Sequence, residues 1–416
     1  MPSPSKLGPV LVLLLACAVS GAAFGLDAAA GWQRILVEPA SENDPEGTPR
    51  PGCSGGPLVS TTAEGTTVAP APTDFSFFLR PGDPKRLLIV WDGGGACWDS
   101  ITCIDSAMTG SPVYDLGIDE TPESLSTLGG IADTQDARNP VREFTLVFIP
   151  YCTGDLYFGS RDVLYDAPGG GQWLIHHRGQ DNVLAVLDIL KDYYADTLGS
   201  QPEEIVLTGA SAGGYGVLYS FPAVTQAFPL ARKVSVLGDS ANGVINWDLY
   251  LRALTPEGVW GAWTHLPPEL EETFASGPDT LVMGMYQALG WRYPAVHFGQ
   301  YSRALDGVQI LFYNLAKHLN APEHWLDPAA LFISGLEWST QTRSTLSMTA
   351  LTTWNYRFYL GEGTGHTIIG DQSFYEERSA GDVQFSDWFA DMIEKRWPFR
   401  GQWQNSSCAP DCLPAL

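Results

Sequence analysis

The sequence is poor in positive charge. Its 416 residues include 23 Lys and Arg against 47 Asp and Glu, which gives a formal net charge of −24 at pH 7. A surface of this sign repels phosphate backbones, so the composition argues against nucleic-acid binding. Charged residues make up only 17% of the chain and hydrophobic residues 44%. This balance is typical of a globular protein and excludes a disordered or fibrous chain.

Other signatures are also missing. The chain has no Cys-x-x-Cys pair and no histidine at zinc-finger spacing from a cysteine, which argues against a structural zinc site. No low-complexity linker and no internal repeat follows residue 56. Beyond the first 26 residues, no apolar stretch is long enough to span a bilayer. We therefore expect one globular domain that binds no metal and no nucleic acid.

The first 26 residues resemble an export signal. Lys6 is the only charge before Asp27, and an apolar centre is followed by small residues at 20–23. This order is typical of a secretory signal peptide, which we predict at residues 1–23. Two alternatives are a membrane anchor, which the prolines and glycines of the segment disfavour, and a lipoprotein signal that would leave Cys17 lipidated. After signal removal we expect no stable membrane span.

Six cysteines remain when Cys17 is set aside. An even number of cysteines in an exported chain predicts three disulfides, although six cysteines allow fifteen connectivities. Two pairs are predicted from proximity in the sequence, and the third is what remains: Cys97–Cys103, Cys408–Cys412 and Cys53–Cys152.

Short apolar runs alternate with helical patterns along the rest of the chain. Strands are predicted at 87–91, 145–149, 205–208, 234–237, 295–299 and 354–360, and helices at 182–194 and 385–397. Strands that alternate with helices predict the α/β class, with a mostly parallel sheet that is flanked by helices on both faces.

Two stretches fall outside this alternation. Residues 24–56 are predicted to be a lead-in to a domain at 57–416, and residues 40–56, rich in Pro, Gly, Ser and Glu, are expected to be exposed. Residues 244–294 carry seven Trp and Tyr between two predicted strands. They form either aromatic core under a helical excursion or a cap that lines a substrate cleft with aromatic faces.

The pentapeptide Gly-Ala-Ser-Ala-Gly at 209–213 matches the pattern G-x-S-x-G. It follows a predicted strand and precedes a helix of small residues, so Ser211 is predicted to project from a sharp turn as a nucleophile. The alternative is a small-residue turn that serves packing alone. His366 lies in a Gly-rich loop after the last predicted strand, where a base can reach the serine.

Two acids compete for the place that orients His366. Asp306 follows the fifth predicted strand, and Asp239 follows the fourth. The usual hydrolase order favours Asp306. Asp239 is then expected to be a helix cap or a hydrogen-bonded loop acid near the pocket.

The glycines at 93–95 suggest an oxyanion hole. They follow the first central strand, as the glycine loop of esterases does, so the N–H groups of Gly94 and Gly95 are predicted to act with that of Ala212. A phosphate-binding loop is the alternative. The segment lacks both the Gly-Lys-Ser/Thr of a P-loop and the spacing of a dinucleotide fingerprint.

Several segments together resemble the pectin acetylesterase family. They are Gly-Gly-Gly-Ala-Cys-Trp at 93–98, Pro-Tyr-Cys-Thr-Gly-Asp at 150–155, His-Arg-Gly at 177–179, Gly-Ala-Ser-Ala-Gly-Gly at 209–214, Asp-Ser at 239–240, Leu-Asp-Gly-Val-Gln at 305–309 and Gly-His-Thr at 365–367. The resemblance implies an extracellular α/β-hydrolase carboxylesterase without metal or organic cofactor. It assigns the nucleophile, acid and base to Ser211, Asp306 and His366, and the oxyanion donors to Gly94, Gly95 and Ala212.

One position departs from the family pattern. Members often have Trp shortly after the first glycines, where this chain has Gly95-Ala96, and the exchange alters the cleft wall. Asp155 and Arg178 also lie in shared segments and are interpreted as loop supports. The sequence as a whole predicts a secreted serine esterase acting on O-acetyl groups of a polysaccharide such as pectin. The alternatives are a lipid or protein O-acyl esterase and an inactive hydrolase-fold binding module.

Overall fold

The computed structural model describes residues 31–41, 44–45, 47–62, 65–394, 401–409 and 412. The predicted signal peptide at 1–23, including Cys17, lies outside the described residues. Within them, no helix combines the length and the apolar character needed to cross a membrane.

Nine strands form one large sheet in the order β1-β4-β6-β5-β9-β10-β11-β12-β13, and two further pairs, β2-β3 and β7-β8, form separate hairpins. β4 is antiparallel to both of its neighbours, β1 and β6, and the other neighbouring strands of the large sheet run parallel. The strands are β1 Gln33–Val37, β2 Pro57–Thr62, β3 Gly65–Pro70, β4 Phe75–Arg80, β5 Asp83–Trp91, β6 Phe144–Ile149, β7 Arg161–Asp166, β8 Gln172–His177, β9 Glu204–Ala210, β10 Lys233–Asp239, β11 His297–Arg303, β12 Tyr356–Gly361 and β13 Ser406–Ser407.

Helices cover both faces of this sheet. They are α1 Ser106–Met108, α2 Pro122–Leu125, α3 Gly179–Asp192, α4 Ala212–Ala227, α5 Trp247–Leu249, α6 Glu271–Ala275, α7 Leu281–Arg292, α8 Gly307–Lys317, α9 Pro328–Thr352, α10 Ser373–Glu376 and α11 Phe385–Glu394. Short turns of tighter or wider helix occur at Ile101–Asp105, Gly130–Ala132, Tyr193–Thr197, Tyr250–Leu254, Pro268–Leu270, Pro278–Thr280 and Pro322–His324.

The central strands follow from their apolar runs. β6 is buried at every position, and β9 at five of its seven, because helices cover both faces of the parallel part of the sheet. Along β5, Leu87 and Ile89 point into one hydrophobic cluster, whereas Leu88 and Val90 point into the other. This alternation is the period of two expected of a strand. The predictions of a mostly parallel sheet and of its first four strands are confirmed.

The last two predicted strands are displaced. The apolar run at 295–299 suggested an end at Gly299, but β11 continues to Arg303 through Gln300 and Ser302, which are both buried. Their side chains form hydrogen bonds with other buried polar groups, Gln300 with Asn242 and Ser302 with Gln309. Satisfied polar groups can be buried at little cost, so polarity is a poor marker of the strand end here.

The prediction of an exposed segment at 40–56 is wrong for its second half. Residues 51–56 are buried, although most of the described residues of 41–50 are exposed. Two contacts account for this: Cys53 is bonded to Cys152, and Gly52 N–H donates to Asn182 Oδ1 at 2.7 Å. The lead-in also contributes β1, an edge strand of the main sheet.

The region 244–294 combines both interpretations offered by the sequence. Of its seven Trp and Tyr, Tyr250, Trp260 and Tyr286 are core residues, whereas the side chains of Trp247 and Trp291 are 52% and 69% exposed. Only Trp260 among them reaches the candidate active-site cavity, where aliphatic residues of the same region accompany it. The aromatic content therefore serves packing more than it serves the cleft.

The three predicted disulfides are present. Cys53–Cys152, Cys97–Cys103 and Cys408–Cys412 have sequence separations of 99, 6 and 4 residues. The first ties the lead-in to the loop after β6, and the second closes a short loop directly after the glycines at 93–95. The ligand atoms of Cys97, Cys103 and His177 lie within 4.8 Å of one another, but both sulfurs are already bonded to each other.

Candidate active site

Ser211 occupies a strained turn between β9 and α4. Its backbone has φ 54° and ψ −119°, a conformation that residues other than glycine rarely adopt. The turn is tight on both sides, because a Cβ at Gly209 would lie 2.1 Å from Gly213 O and one at Gly213 would lie 2.2 Å from Trp91 O. Only glycine fits at these two positions, which explains the G-x-S-x-G pattern in physical terms.

His366 and Asp306 are in direct contact. His366 Nδ1 lies 2.8 Å from Asp306 Oδ2 and 2.9 Å from Oδ1. Asp306 follows β11, is fully buried and caps the start of α8 by accepting from the N–H groups of Val308 and Gln309. The start of the helix thus fixes the carboxylate in the position where it contacts the imidazole. Of the two acids weighed from the sequence, Asp306 is the one that contacts His366.

Ser211 and His366 line the same cavity. Among the described residues, His366 Nε2 is buried without a hydrogen-bond partner. The structure therefore brings the three predicted residues together, with the Asp306–His366 hydrogen bond formed and no hydrogen bond between His366 Nε2 and Ser211. Such hydrogen bonds are often long in ligand-free hydrolases and shorten when substrate binds.

Asp239 has a different set of partners. It ends β10, is fully buried, and its Oδ2 accepts from the N–H groups of Ile368 and Ile369 at 2.7 and 3.0 Å. Its backbone carbonyl accepts from Ser211 N–H at 2.8 Å. Burial raises the pKa of Asp239 to about 6, although the two N–H groups favour the ionised form. Of the two roles considered for it, the position agrees with a hydrogen-bonded loop acid.

The N–H group of Gly95 takes no part in the pairing of the glycine loop with the 113–115 segment. Gly95 lies opposite Tyr114 in an antiparallel bridge whose hydrogen bonds run from Ala96 N–H to Val113 O and from Asp115 N–H to Gly94 O. In such a pair the N–H of the central residue points away from the opposite strand. Gly95 and Ala212 both line the cavity, but Gly94 is not among the lining residues.

Acidic side chains lie behind this loop. Asp92 Oδ1 accepts from Gly93 N–H at 2.8 Å, and a Cβ at Gly94 would lie 2.5 Å from Asp115 Oδ2. Burial, reinforced by the neighbouring Glu120, raises the pKa of Asp115 to about 6 and that of Asp92 well above its usual range. These shifts favour the neutral acids, which do not oppose negative charge in front of the loop.

The cavity is largely apolar and partly open to solvent. Its walls come from the glycine loop, the region 244–294 and helices α8 and α9. Its large apolar side chains are Trp98, Leu156, Ile245, Leu249, Trp260, Phe312 and Trp338. Ser211 and His366 lie in the same lining. An apolar cavity with a few polar groups at one place is the usual form of a small-molecule site.

Other residues singled out in the sequence have structural partners. Asp155 accepts from Thr153 Oγ1 and from the N–H groups of Tyr157 and Gly179, and Arg178 forms two hydrogen bonds with Asp162. The remaining histidines that follow Ser211 also contact protein groups away from the cavity: His265, His297, His318 and His324.

Gln309 was missed by the sequence reasoning. Its Nε2 donates to Asp306 Oδ2 at 2.9 Å, and its Oε1 accepts from Asn242 N–H at 2.9 Å. It lies three residues after Asp306, in the first turn of α8. Residues three apart on a helix are neighbours, so the side chain of Gln309 reaches the carboxylate that caps the helix. The segment Leu-Asp-Gly-Val-Gln at 305–309 contained this signal, because its last residue is polar on an otherwise apolar helix face.

Comparison with known proteins finds a family profile that matches part of the chain. Residues 73–244 match the profile of the family described as Pectinacetylesterase. This segment contains Ser211 and the glycine loop, whereas Asp306 and His366 lie beyond the match.

Two curated proteins are similar to part of the chain. The chain is 30% identical over 173 residues to a palmitoleoyl-protein carboxylesterase NOTUM of Schmidtea mediterranea, a match that covers 40% of this chain. It is 26% identical over 213 residues, or 46% of this chain, to the NOTUM of Drosophila melanogaster. The matches span about 30% of the length of each relative: 30% and 29%, respectively.

The fold is shared more widely than the sequence. The crystal structure of the Wnt deacylase Notum from Drosophila superposes with a TM-score of 0.50 and 19% identity, covering 77% of this chain and 87% of that one. Together with the parallel sheet and the strand–turn–helix around Ser211, this shows that the chain has the α/β-hydrolase fold.

Proposed function

We propose that this protein is a member of the pectin acetylesterase family and an exported serine carboxylesterase that hydrolyses O-acyl esters. The observation that carries the proposal is the hydrogen bond between Asp306 and His366 in a cavity that Ser211 also lines. The strained turn at Ser211 and the presence of Gly95 and Ala212 in the same cavity lining support it. Export is supported by the three disulfides, since such bonds persist in oxidising compartments.

In the proposed reaction, Ser211 Oγ attacks the ester carbonyl while His366 Nε2 takes its proton. Asp306 holds Nδ1–H, so that Nε2 is the unprotonated nitrogen, and it stabilises the imidazolium that forms. The N–H groups of Gly95 and Ala212, together with that of Gly94 if the loop closes on substrate, stabilise the oxyanion. The tetrahedral intermediate collapses to an acyl-enzyme on Ser211, and the alcohol leaves with the proton from His366. His366 then takes a proton from water, which attacks the acyl group, and the acid leaves as Ser211 regains its proton.

The cavity bears on the acyl group. Its large apolar side chains remove hydrocarbon from water, at roughly 0.8 kcal/mol for each buried CH₂. An acetyl group uses little of this surface, whereas a longer acyl chain uses much of it. The cavity thus favours a lipid-type acyl group, in line with the palmitoleoyl substrate named for the two NOTUM relatives. Acetylated polysaccharide, which the sequence ranks first, is the second candidate.

The first experiment tests the mechanism. Ser211→Ala should lower turnover of p-nitrophenyl butyrate by several orders of magnitude, because only binding and oxyanion effects remain. A fluorophosphonate probe should label the wild type and not the variant. Near-normal activity in a folded Ser211→Ala protein would exclude the serine mechanism, and a folded wild type that neither turns over esters nor reacts with the probe would indicate a binding module.

The second experiment separates the two acyl classes. We expect kcat/KM to rise along p-nitrophenyl esters from acetate to octanoate. Leu249→Trp should reduce the value for octanoate more than that for acetate, because Leu249 lines the cavity. Leu251→Trp is the matched control, since Leu251 lies in the same segment with its side chain 56% exposed. A decline from acetate onward, with acetate released from acetylated pectin, would favour the polysaccharide.

A further inference from the structure

The loop that carries His366 has few fixed points of its own. Residues 362–372 lie between β12 and α10 and include three glycines, at 363, 365 and 370. The part before His366 is held by the segment after β11: Leu305 N–H donates to Gly363 O, and Gly307 N–H donates to Thr364 O. These contacts fix one side of the histidine only.

Asp239 and Ser240 hold the other side. Three consecutive N–H groups directly after His366 donate to these two side chains. Thr367 N–H donates to Ser240 Oγ at 3.0 Å, and those of Ile368 and Ile369 donate to Asp239 Oδ2 at 2.7 and 3.0 Å. Ser240 Oγ in turn donates to Asp239 Oδ1 at 3.1 Å. Thr367 is kept at φ 56°, a conformation that needs such support.

The same residue also fixes the nucleophile. The carbonyl of Asp239 accepts from Ser211 N–H at 2.8 Å, while its carboxylate accepts from the loop of His366. β10 lies in the middle of the sheet, with β9 and β11 on either side. One buried residue on a rigid strand therefore links the backbone of the serine to the backbone of the histidine loop.

We propose that Asp239 is a positioning residue that sets His366 relative to Ser211 through the N–H groups of Ile368 and Ile369, with Ser240 as its accessory. The inference rests on the proposed function, because it assigns a role within that reaction. Asp239 contacts no reacting atom, so its effect is on the placement of the base. Misplacement of a catalytic group by about 1 Å can cost roughly 10²-fold in rate.

The charge of Asp239 strengthens this link. An ionised carboxylate accepts hydrogen bonds more strongly than a neutral acid or an amide does. Burial raises its pKa to about 6, and the titratable side chains that interact with it are His366 and Tyr301. Above that pH the ionised form predominates and the loop is held firmly. Below it the acceptor weakens, and part of the acid limb of the kcat profile should come from Asp239.

The test compares Asp239→Asn with Asp155→Asn. Asp155 is a matched control: it is also fully buried, also accepts from two backbone N–H groups and a hydroxyl, and burial raises its pKa to about 6. Its partners do not include Ser211, His366 or Asp306. We expect Asp239→Asn to lower kcat about tenfold, with KM within about twofold of the wild type, since hydrogen bonds to a charged carboxylate become weaker bonds to a neutral amide. The acid limb of its kcat profile should also become shallower.

Asp155→Asn should keep kcat within about twofold and leave the pH profile unchanged, although its thermal stability changes. Equal effects of the two variants on kcat, or a normal kcat and acid limb in Asp239→Asn, would overturn the positioning role. If Asp239→Asn does not fold, Ser240→Ala removes the acceptor of Thr367 N–H and the donor to Asp239 Oδ1, but leaves the carboxylate in place. It should lower kcat about threefold, because Ile368 and Ile369 N–H keep their acceptor, and an unchanged kcat would refute the proposal. Failure of the proposed function is a separate result, because the wild type itself would then lack serine-dependent turnover.

Discussion

Replacing Asp306 with asparagine tests the assignment of the acid most directly. One oxygen, Oδ1, accepts from Val308 and Gln309 N–H, whereas Oδ2 accepts from Gln309 Nε2 and lies 2.8 Å from His366 Nδ1. An asparagine whose oxygen keeps the helix cap places its NH₂ group at the Oδ2 position. That group faces two donors, so His366 relieves the conflict by moving its proton to Nε2.

A protonated Nε2 cannot accept the proton of Ser211. In a Ser-His-Asp triad this change of tautomer costs about 10⁴ in turnover while the geometry is preserved. The retained cap limits the loss of stability to roughly 1–2 kcal/mol. We therefore expect Asp306→Asn to lower kcat/KM about 10⁴-fold on one activated ester, with a native circular dichroism spectrum.

Asp239→Asn, assayed on the same ester, should show a decrease in kcat/KM about a thousandfold smaller than that of Asp306→Asn. The two acids differ in their contacts alone, since both are fully buried and both lie at the carboxyl ends of neighbouring strands. If Asp239→Asn were the crippled variant and Asp306→Asn remained active, the contact between Asp306 and His366 would be structural and the assignment of the acid would be wrong.

Two further predictions concern stability. Replacing Cys53 and Cys152 together with alanine should reduce the free energy of unfolding by ~4 kcal/mol, because this bridge closes the longest loop. This loss should be larger than the loss in a Cys408/Cys412 double variant. Equal midpoints of the two variants in urea denaturation would contradict the prediction. Burial raises the pKa of Asp155 to about 6 in the folded protein, whereas the pKa of an unfolded Asp is about 3.9. The contribution of this shift to folding stability is therefore complete below about pH 3.9 and is lost as the pH rises through about 6. The melting temperature should accordingly rise from pH 7 to pH 5, with a smaller rise in Asp155→Asn; a fall over this range, measured by calorimetry, would refute the shift.

The sequence predicted the centre of the sheet well because local pattern and tertiary environment agree there. β5, β6, β9 and β10 are apolar runs that are buried by helices on both sides. The strands of the two hairpins were missed for the opposite reason. β7 and β8 carry mixed residues and form a hairpin outside the main sheet, and β3 is exposed throughout.

For the candidate site, residue types and chain order were sufficient to bring three side chains into one neighbourhood. Ser211, Asp306 and His366 each follow a strand whose carboxyl end lies at the same edge of the sheet, so their meeting follows from topology. The link from Asp239 to Ile368 and Ile369 could not be predicted in this way. It joins residues 129 and 130 positions apart through backbone N–H groups, which any residue type supplies.

The backbone at Gly95 restricts how the cleft wall can be altered. Gly95 has φ 74°, and a Cβ at this position would lie 2.1 Å from Val113 O. The Trp that the family pattern often has close to this point could not be introduced at Gly95 by a single substitution, since the segment at Val113 would have to move first. A variant that carries a side chain at Gly95 must therefore exchange the glycine loop and the 113–115 segment as one unit.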